Sequence, residues 1–470
     1  MEVVAATAQP LPQGNRYKVI LRLAMPTVIA MLSQSVVNEV DVLFFAHLPQ
    51  PDSSNAQAAL LPSLLLVWLF GGSLGAISVG TQALVARRYA ERDYEAAGAV
   101  LSNAVWFSLL VGGILTVISL LALPSIVSAM TDVPAKAEIM LSYTRLRMFG
   151  IISMGMTMGV KAFFDGLGKT HVHLVSALVM NAFNILFCWM FIFGHLGAPR
   201  MGAAGAGLGA VSATWIGLAI MLLYGWGERA QFRPIRWSNI SRRLTWDILR
   251  LSIPGAGAIV AMGLGFALFQ KAADKLDAAA TLASGGAMTE AVNSAATTDI
   301  VAILKLTFTA CLGFGTATAT LVGQALGAKK PDEAEKYGWA SVRLGVILFG
   351  IVGLCEGVFF TPQLVGFITH SDAVRAAAMT PMRVMGIVTP VIAVAMILSE
   401  ALFGAGNPKF VAIAQGILVF GWLVPGAYFL GVVLHLGLLG IWLSACIYAA
   451  LAAVTMSVKF RQGAWKHIKL

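Results

Sequence analysis

Three polar residues interrupt an apolar stretch near the amino terminus: Gln34, Asn38 and Asp41, at i, i+4 and i+7. On an α-helix that spacing places all three on one face. A carboxylate in apolar surroundings holds its proton more tightly than in water and so can exchange one near neutral pH. Reversible proton binding is therefore the chemistry this stripe suggests. The plainer alternative is an aspartate that only hydrogen-bonds its helix to its neighbours. Glu39, two residues from Asp41, points about 160° away around the helix. It faces the far side, pairs with a basic residue or lies near water, and the sequence does not choose.

Other charges also fall inside apolar runs, where an ionisable side chain at the bilayer centre costs roughly 2.5–3.5 kcal/mol. Lys305 and Arg383 either meet Asp41 or Glu39 across a cavity or snorkel to the surface. Glu356 and Glu400 read as structural or interfacial, and Lys161 with Asp165, at i and i+4, as a local ion pair. The histidines are scattered. His171 and His173 lie two apart in an expected loop and read as a surface pair, not as metal ligands. Cys188, Cys311, Cys355 and Cys446 fall inside expected helices with no disulfide or zinc spacing. Neither a metal nor a cofactor is expected.

The composition says what scaffold must hold these side chains. Of 470 residues, 58% are apolar and only 11% charged, and the mean hydropathy is +0.81. Soluble domains carry about 25% charged residues, so this chain belongs in lipid. A crossing helix needs roughly 20 apolar residues. Cutting the apolar runs at charged and Gly/Pro clusters predicts about twelve. They fall near 21–46, 58–86, 96–122, 138–165, 172–194, 203–226, 246–273, 298–326, 335–360, 377–403, 410–433 and 438–459. The fold class expected is an all-α membrane protein in two six-helix lobes.

The net charge of +10 is explained by topology and not by nucleic acid. Arg87, Arg88 and Arg92 follow helix 2, Arg229 to Arg243 follow helix 6, Lys329, Lys330 and Lys336 follow helix 8, and Lys459 to Lys469 end the chain. Basic loops stay inside, which puts both termini in the cytoplasm. Residues 1–15 lack the apolar core of a signal peptide and read as a cytoplasmic leader.

One hydrophobic unit is written twice. Leu21-Arg22-Leu23-Ala24-Met25-Pro26 returns as Leu249-Arg250-Leu251-Ser252-Ile253-Pro254. Leu84 to Arg92 is echoed by Leu321 to Lys329, and Phe163 to Lys169 by Ala401 to Asn407. The longer segment 274–297 of the second half is read as a flexible outer loop. Six helices per unit, an even number, give both units the same orientation, related by a pseudo-twofold axis along the membrane normal. The expected organisation is a leader 1–15, an N-lobe 16–228, a basic linker 229–245, a C-lobe 246–460 and a tail 461–470. Gly202, Gly205, Gly207 and Gly209 on helix 6 read as close-packing positions, and Pro26 as a kink in helix 1.

Several stretches together resemble the multidrug and toxic compound extrusion (MATE) family. They are Gly313-Phe314-Gly315-Thr316-Ala317 with Leu321 to Lys330, Phe164-Asp165-Gly166-Leu167-Gly168-Lys169-Thr170, Asn184 with Phe191-Ile192-Phe193-Gly194 and Met201 to Ala206, and Val40-Asp41-Val42-Leu43-Phe44-Phe45. The resemblance runs through both halves in order. It implies a cation-coupled antiporter that exports organic, drug-like substrates, cationic ones included, through a cavity between the lobes, with Asp41 as coupling residue. Gln34, Asn38, Asn184, Lys305 and Arg383 are then candidate cavity residues.

Within that family the second half lacks the acidic residues of the NorM-like branch. Helix 7 is without one between Met262 and Phe269, helix 10 near Ile392, and Phe269 stands where the repeat would answer Asp41. The resemblance leans to the DinF-like branch, which couples through the first lobe. Cys188 follows Asn184, and Ala210 stands where a hydroxyl often lies, so two hard sodium ligands are missing and protons are favoured over sodium. A monomer in a bacterial inner membrane is expected. A flippase for a lipid-linked saccharide is the alternative. It would want a cavity ringed by Arg and Lys, and only Lys305 and Arg383 lie deep enough. No nucleophile set marks an intramembrane enzyme.

Overall fold

The computed structural model describes residues 14–49, 52–131, 134–233, 236–283, 291–369 and 371–468. A few side chains inside the helices, those of Asn38, Glu39 and Asp41 among them, lie outside the described set. The chain runs through α1 (Arg16–Ala46), α2 (Asp52–Gly71), a 3-10 stretch (Gly72–Ala76), α3 (Ile77–Ala90), α4 (Tyr94–Met130), α5 (Pro134–Met148), α6 (Gly150–Gly166), α7 (His171–Phe193), α8 (Ala203–Gly227) and the short α9 (Arg229–Phe232). The second half holds α10 (Arg242–Ala283), α11 (Val292–Gly327), α12 (Pro331–Leu354), α13 (Thr361–Ile368), α14 (Asp372–Gly404), α15 (Pro408–Leu418), α16 (Val424–Tyr428) and α17 (Gly437–Gln462).

Local sequence sets many of the boundaries. Asn15 accepts from Tyr17 N at 2.9 Å and Asp93 from Ala96 N at 3.0 Å, each side chain satisfying a free amide of the first turn. Pro331 and Pro408 open α12 and α15, where a missing N–H costs nothing. Gly463 closes α17 in the left-handed region at φ 72°.

Among the described residues, ten helices are long and apolar enough to cross a membrane, and a bent pair, Pro62–Gly71 with Leu74–Ala90 at 43°, supplies an eleventh. The remaining span, the fourth expected (138–165), is split between α5 and α6, and its first part carries Lys136, Glu138, Arg145 and Arg147. Taken as single spans, these broken pairs give twelve, six in each half. Besides the fourth, three more expectations of unbroken helix are corrected. The second span breaks at the 3-10 stretch, the ninth ends in a π turn over Cys355–Phe359, and the eleventh contains π turns at Val419–Leu423 and Phe429–Val433. The described residues of the segment read as a flexible outer loop, 274–283 and 291–297, are ordered instead: α10 continues to Ala283, and Asp277 accepts from Asn293 N and Ser294 N at 2.8 Å each. His171 and His173 open α7 instead of sitting in a loop.

The sequence repeat reappears in the backbone. Arg92 and Lys329 occupy echoed positions and both adopt positive φ, 62° and 57°. Glu91 N bonds Arg87 O and Asp93 N bonds Arg88 O, while Ala328 N bonds Gln324 O and Lys330 N bonds Ala325 O. Gly168 and Gly406, at φ 77° and 83°, close α6 and α14 in the same way. α3, α6, α11 and α14 thus end together, at one basic end of the bundle, as two lobes in equal orientation require.

Of the glycines read as packing positions on expected helix 6, Gly205, Gly207 and Gly209 of α8 are that, whereas Gly202 precedes the helix at φ 57° with nothing within 4 Å of where its Cβ would be. A Cβ on Gly205 would lie 2.5 Å from the Phe191 backbone, and one on Gly207 2.7 Å from Tyr143 O. The tail is structural as well. Trp465 is fully buried, stacks on Phe460 at 4.6 Å and donates from Nε1 to Phe460 O at 2.7 Å. Lys466 bonds Glu335 at 2.6 Å and Asp332 at 3.0 Å, and the Glu335 carboxylate first, then Asp332, holds its ammonium above the usual lysine range.

Candidate functional site

α1 links the lobes. In its first half Ile20 and Ala24 are fully buried in a cluster of the second lobe that includes Phe314, Leu321 and Tyr337. This contact extends to Val28, which lies 3.2 Å from where a Cβ on Gly313 would sit. Beyond it the partners change to α1's own lobe. Ser33 Oγ accepts from Asn181 Nδ2 at 2.9 Å, Phe44 meets Phe193 at 5.9 Å and Phe45 meets Tyr143 at 6.2 Å. Pro26 lies near the changeover, and α1 runs through it as one helix, with the Arg22 carbonyl deprived of its usual donor.

The hydrogen bonds joining the lobes cluster at the basic end. Gln82 Nε2 donates to Thr316 O and to Thr320 Oγ1, both at 2.9 Å. Thr320 Oγ1 in turn donates to Asp165 O at 2.8 Å, and Gln324 Nε2 to Gly166 O at 2.8 Å. Arg87, buried, donates from one guanidinium nitrogen to Ile468 O at 2.5 Å and from the other to Ala405 O at 3.1 Å. Small residues allow this approach: a Cβ on Gly323 would lie 2.9 Å from Ala86, and one on Gly327 2.5 Å from Arg87 O. Arg87, read from sequence only as a topology charge, is therefore a clasp between the lobes. The positive-inside pattern accounted for it so fully that nothing marked it out.

Charges sit within this seam. Lys161 and Asp165 form the expected pair at 2.7 Å, with Asp165 fully buried. Within the second lobe, Glu400 packs against Gly315, where a Cβ would lie 2.6 Å from its Cγ. Glu356 is bonded within its own lobe: Thr307 Oγ1 donates to its carboxylate, and Thr361 Oγ1 to its carbonyl at 2.8 Å.

Of the candidate cavity residues, Gln34 is half-buried on α1. Asn38, Glu39 and Asp41 lie in α1 by their backbone, and their side chains are outside the described residues. Asn184 is buried and accepts from Cys188 Sγ at 3.5 Å. Sequence reasoning missed Asn181, which shares that α7 face, reaches α1 and leaves its buried Oδ1 unpartnered. Its i, i+3, i+7 spacing with Asn184 and Cys188 was the available signal. Lys305 and Arg383 are exposed, and their side chains bond no carboxylate among the described residues. Phe269 is buried and meets Trp442 edge-on at 5.4 Å, so the second-lobe position that answers Asp41 is apolar core. No cluster of three or more His, Cys, Asp or Glu side chains placed to hold a metal occurs among the described residues.

The MatE family model matches residues 26–190 and 286–429. A probable multidrug resistance protein NorM of Mesorhizobium japonicum is 28% identical over 342 residues, covering 71% of this chain and 69% of the relative. One from Thermotoga maritima is 23% identical over 460 residues, covering 96% and 93%. Among solved structures, an outward-facing multidrug resistance MATE transporter of the MOP superfamily superposes with a TM-score of 0.83 at 22% identity, over 97% of this chain and 98% of that one. A MOP superfamily transporter from Pyrococcus furiosus gives 0.82 at 21% identity, over 97% and 98%.

Proposed function

The chain belongs to the MatE family, whose members are transporters and not enzymes, and from that premise we propose that it exports organic, drug-like compounds, cationic ones included, in exchange for protons. The observation that carries this reading is the change of partner along α1. Its first half is packed into the opposite lobe, and its second half, which holds Gln34, Asn38 and Asp41, is packed on its own. With the basic end in the cytoplasm, the Gln82, Arg87, Thr320 and Gln324 bonds close the inner end between the lobes, which supports reading this as an outward-facing state.

In the proposed cycle, substrate enters from the cytoplasm beside deprotonated Asp41, with Gln34, Asn38 and Asn184 as polar cavity groups and Lys305 and Arg383 on the second-lobe side. After the switch outward, protonation of Asp41 weakens substrate binding and biases α1 about Pro26. The return step releases the proton inside. A ligand shifts such an equilibrium only by its differential affinity for the two states, and a carboxylate that changes solvent access between states supplies that difference for a proton. Coupling through the first lobe, the DinF-like pattern, rests on apolar Phe269 standing at the repeat position that answers Asp41, although the relatives above carry the NorM name. The lobes are taken as 16–228 and 246–460 with a basic linker 229–245, in a monomer of the bacterial inner membrane with cytoplasmic termini and no cofactor.

The test is efflux of a panel of dyes and drugs from proteoliposomes with pH and sodium gradients imposed separately. A pH gradient alone drives efflux and a sodium gradient alone does not. Efflux driven by sodium alone refutes the proton assignment.

A further inference from the structure

At the basic end, between the first turn of α1 and the outer face of α12, lies a cavity of about 720 Å³ lined by Arg16, Tyr17, Lys330, Lys336, Trp339 and Arg343. Two carboxylates share the wall and both are engaged. Glu333 bonds Arg16 at 2.9 Å and Lys336 at 2.9 Å, and Glu335 bonds Lys466 at 2.6 Å. Lys330 and Arg343 are exposed, and neither side chain makes a hydrogen bond or ion pair among the described residues. The cavity therefore presents uncompensated positive charge.

Arg343 is the informative residue. It lies twelve residues into α12, about 18 Å from the first turn, on an exposed face of a membrane-spanning helix. A guanidinium there must turn back towards the headgroups, and it lines the same cavity as Arg16 and Lys330, near the helix start. Tyr17 and Trp339 in the same wall are the amphipathic aromatics favoured at headgroup depth. Below Arg343 the same face continues as Ile347 and Ile351, at i+4 and i+8, exposed by 60% and 57%. A cationic pocket at headgroup level above an exposed apolar stripe fits an anion that carries an acyl chain.

We propose that the Arg16–Lys330–Arg343 cavity binds the phosphate headgroup of an anionic phospholipid, with an acyl chain along Ile347 and Ile351. Basic pockets between membrane helices hold anionic headgroups in this way. The site lies on a seam, since α1 supplies Arg16 and Tyr17, and α12 with its N-cap Lys330 the remainder. The Arg16–Glu333 ion pair already joins the two at this point, so a bound lipid adds to the ties that keep the basic end closed.

Native mass spectrometry of the full-length protein, titrated with phosphatidylglycerol and, separately, with phosphatidylcholine, reads binding without reference to transport. Wild type retains phosphatidylglycerol in preference to phosphatidylcholine, and excess inorganic phosphate does not displace it. Lys330→Gln with Arg343→Gln weakens phosphatidylglycerol binding about thirtyfold. Lys330→Gln alone, just outside the helix, gives a smaller loss, while Arg200→Gln, an exposed charge beyond the far end of α7, changes nothing. Undiminished binding in the folded double variant overturns the proposal. Displacement by inorganic phosphate also overturns it, by showing an anion pocket without lipid specificity.

Discussion

Asp41→Asn abolishes pH-driven transport. Proteoliposomes carrying it move substrate under an imposed pH gradient no faster than protein-free vesicles, while the variant folds and melts as wild type does. The substitution keeps the size and hydrogen-bonding capacity of the side chain and removes only its titration. An aspartate that merely holds helices together therefore tolerates it, and a proton-coupling carboxylate does not. Asp41→Glu restores a titratable group on a longer arm and recovers pH-driven transport at a reduced rate. Normal pH-driven transport by Asp41→Asn refutes the coupling assignment. The asymmetry of the repeat supports the expectation: Phe269, at the answering position, is core against Trp442 and offers no second carboxylate to share the proton.

Arg87→Met loosens the closed end. The guanidinium makes charge-assisted bonds to two carbonyls, Ala405 O in the second lobe and Ile468 O in the carboxy-terminal tail. Hydrogen bonds of a charged group contribute about 1.5–3 kcal/mol each, offset in part when water reaches the carbonyls in the open state. Losing one net bond of this size shifts the closed-to-open ratio at least about tenfold. Spin labels at Glu95 and Lys409, one on each lobe at the exposed basic end, read this as growth of a long-distance population. Methionine fills the space of the arginine stem, so an increase reports the lost bonds and not a collapsed cavity. An unchanged distance distribution shows that Gln82, Thr320 and Gln324 hold the seam without Arg87.

The scaffold was legible because lipid imposes simple rules. Long apolar runs have only helices open to them, and a copied unit copies its turns, as the matching backbones at Arg92 and Lys329 show. Lys161 and Asp165 were readable for the same local reason, a single helical turn between them. The breaks were not legible. Gly71, Gly72 and Gly75 mark one break and Arg145 and Arg147 precede the other, but glycines also serve close packing and terminal arginines also snorkel, and whether such a span bends depends on what packs against it. Arg87 was hidden for the opposite reason: a loop arginine is already explained by topology, and its partner carbonyls lie more than 300 residues away in the chain. Asn181 was hidden among apolar neighbours because its partner, Ser33, is on another helix. For Gln34, Asn38 and Asp41 the argument still rests on spacing, which assigns a helix face but no partners.

The central claim is obligatory exchange of substrate for protons, and substrate-driven proton movement tests it most directly. Vesicles containing the protein and a trapped pH indicator, with no initial pH or sodium gradient, receive an outward gradient of an organic cation that the protein transports. The account predicts that substrate leaving the vesicles acidifies the interior, with or without sodium, and that Asp41→Asn eliminates the signal. Substrate efflux with no change of internal pH, or a response that appears only with sodium, contradicts it.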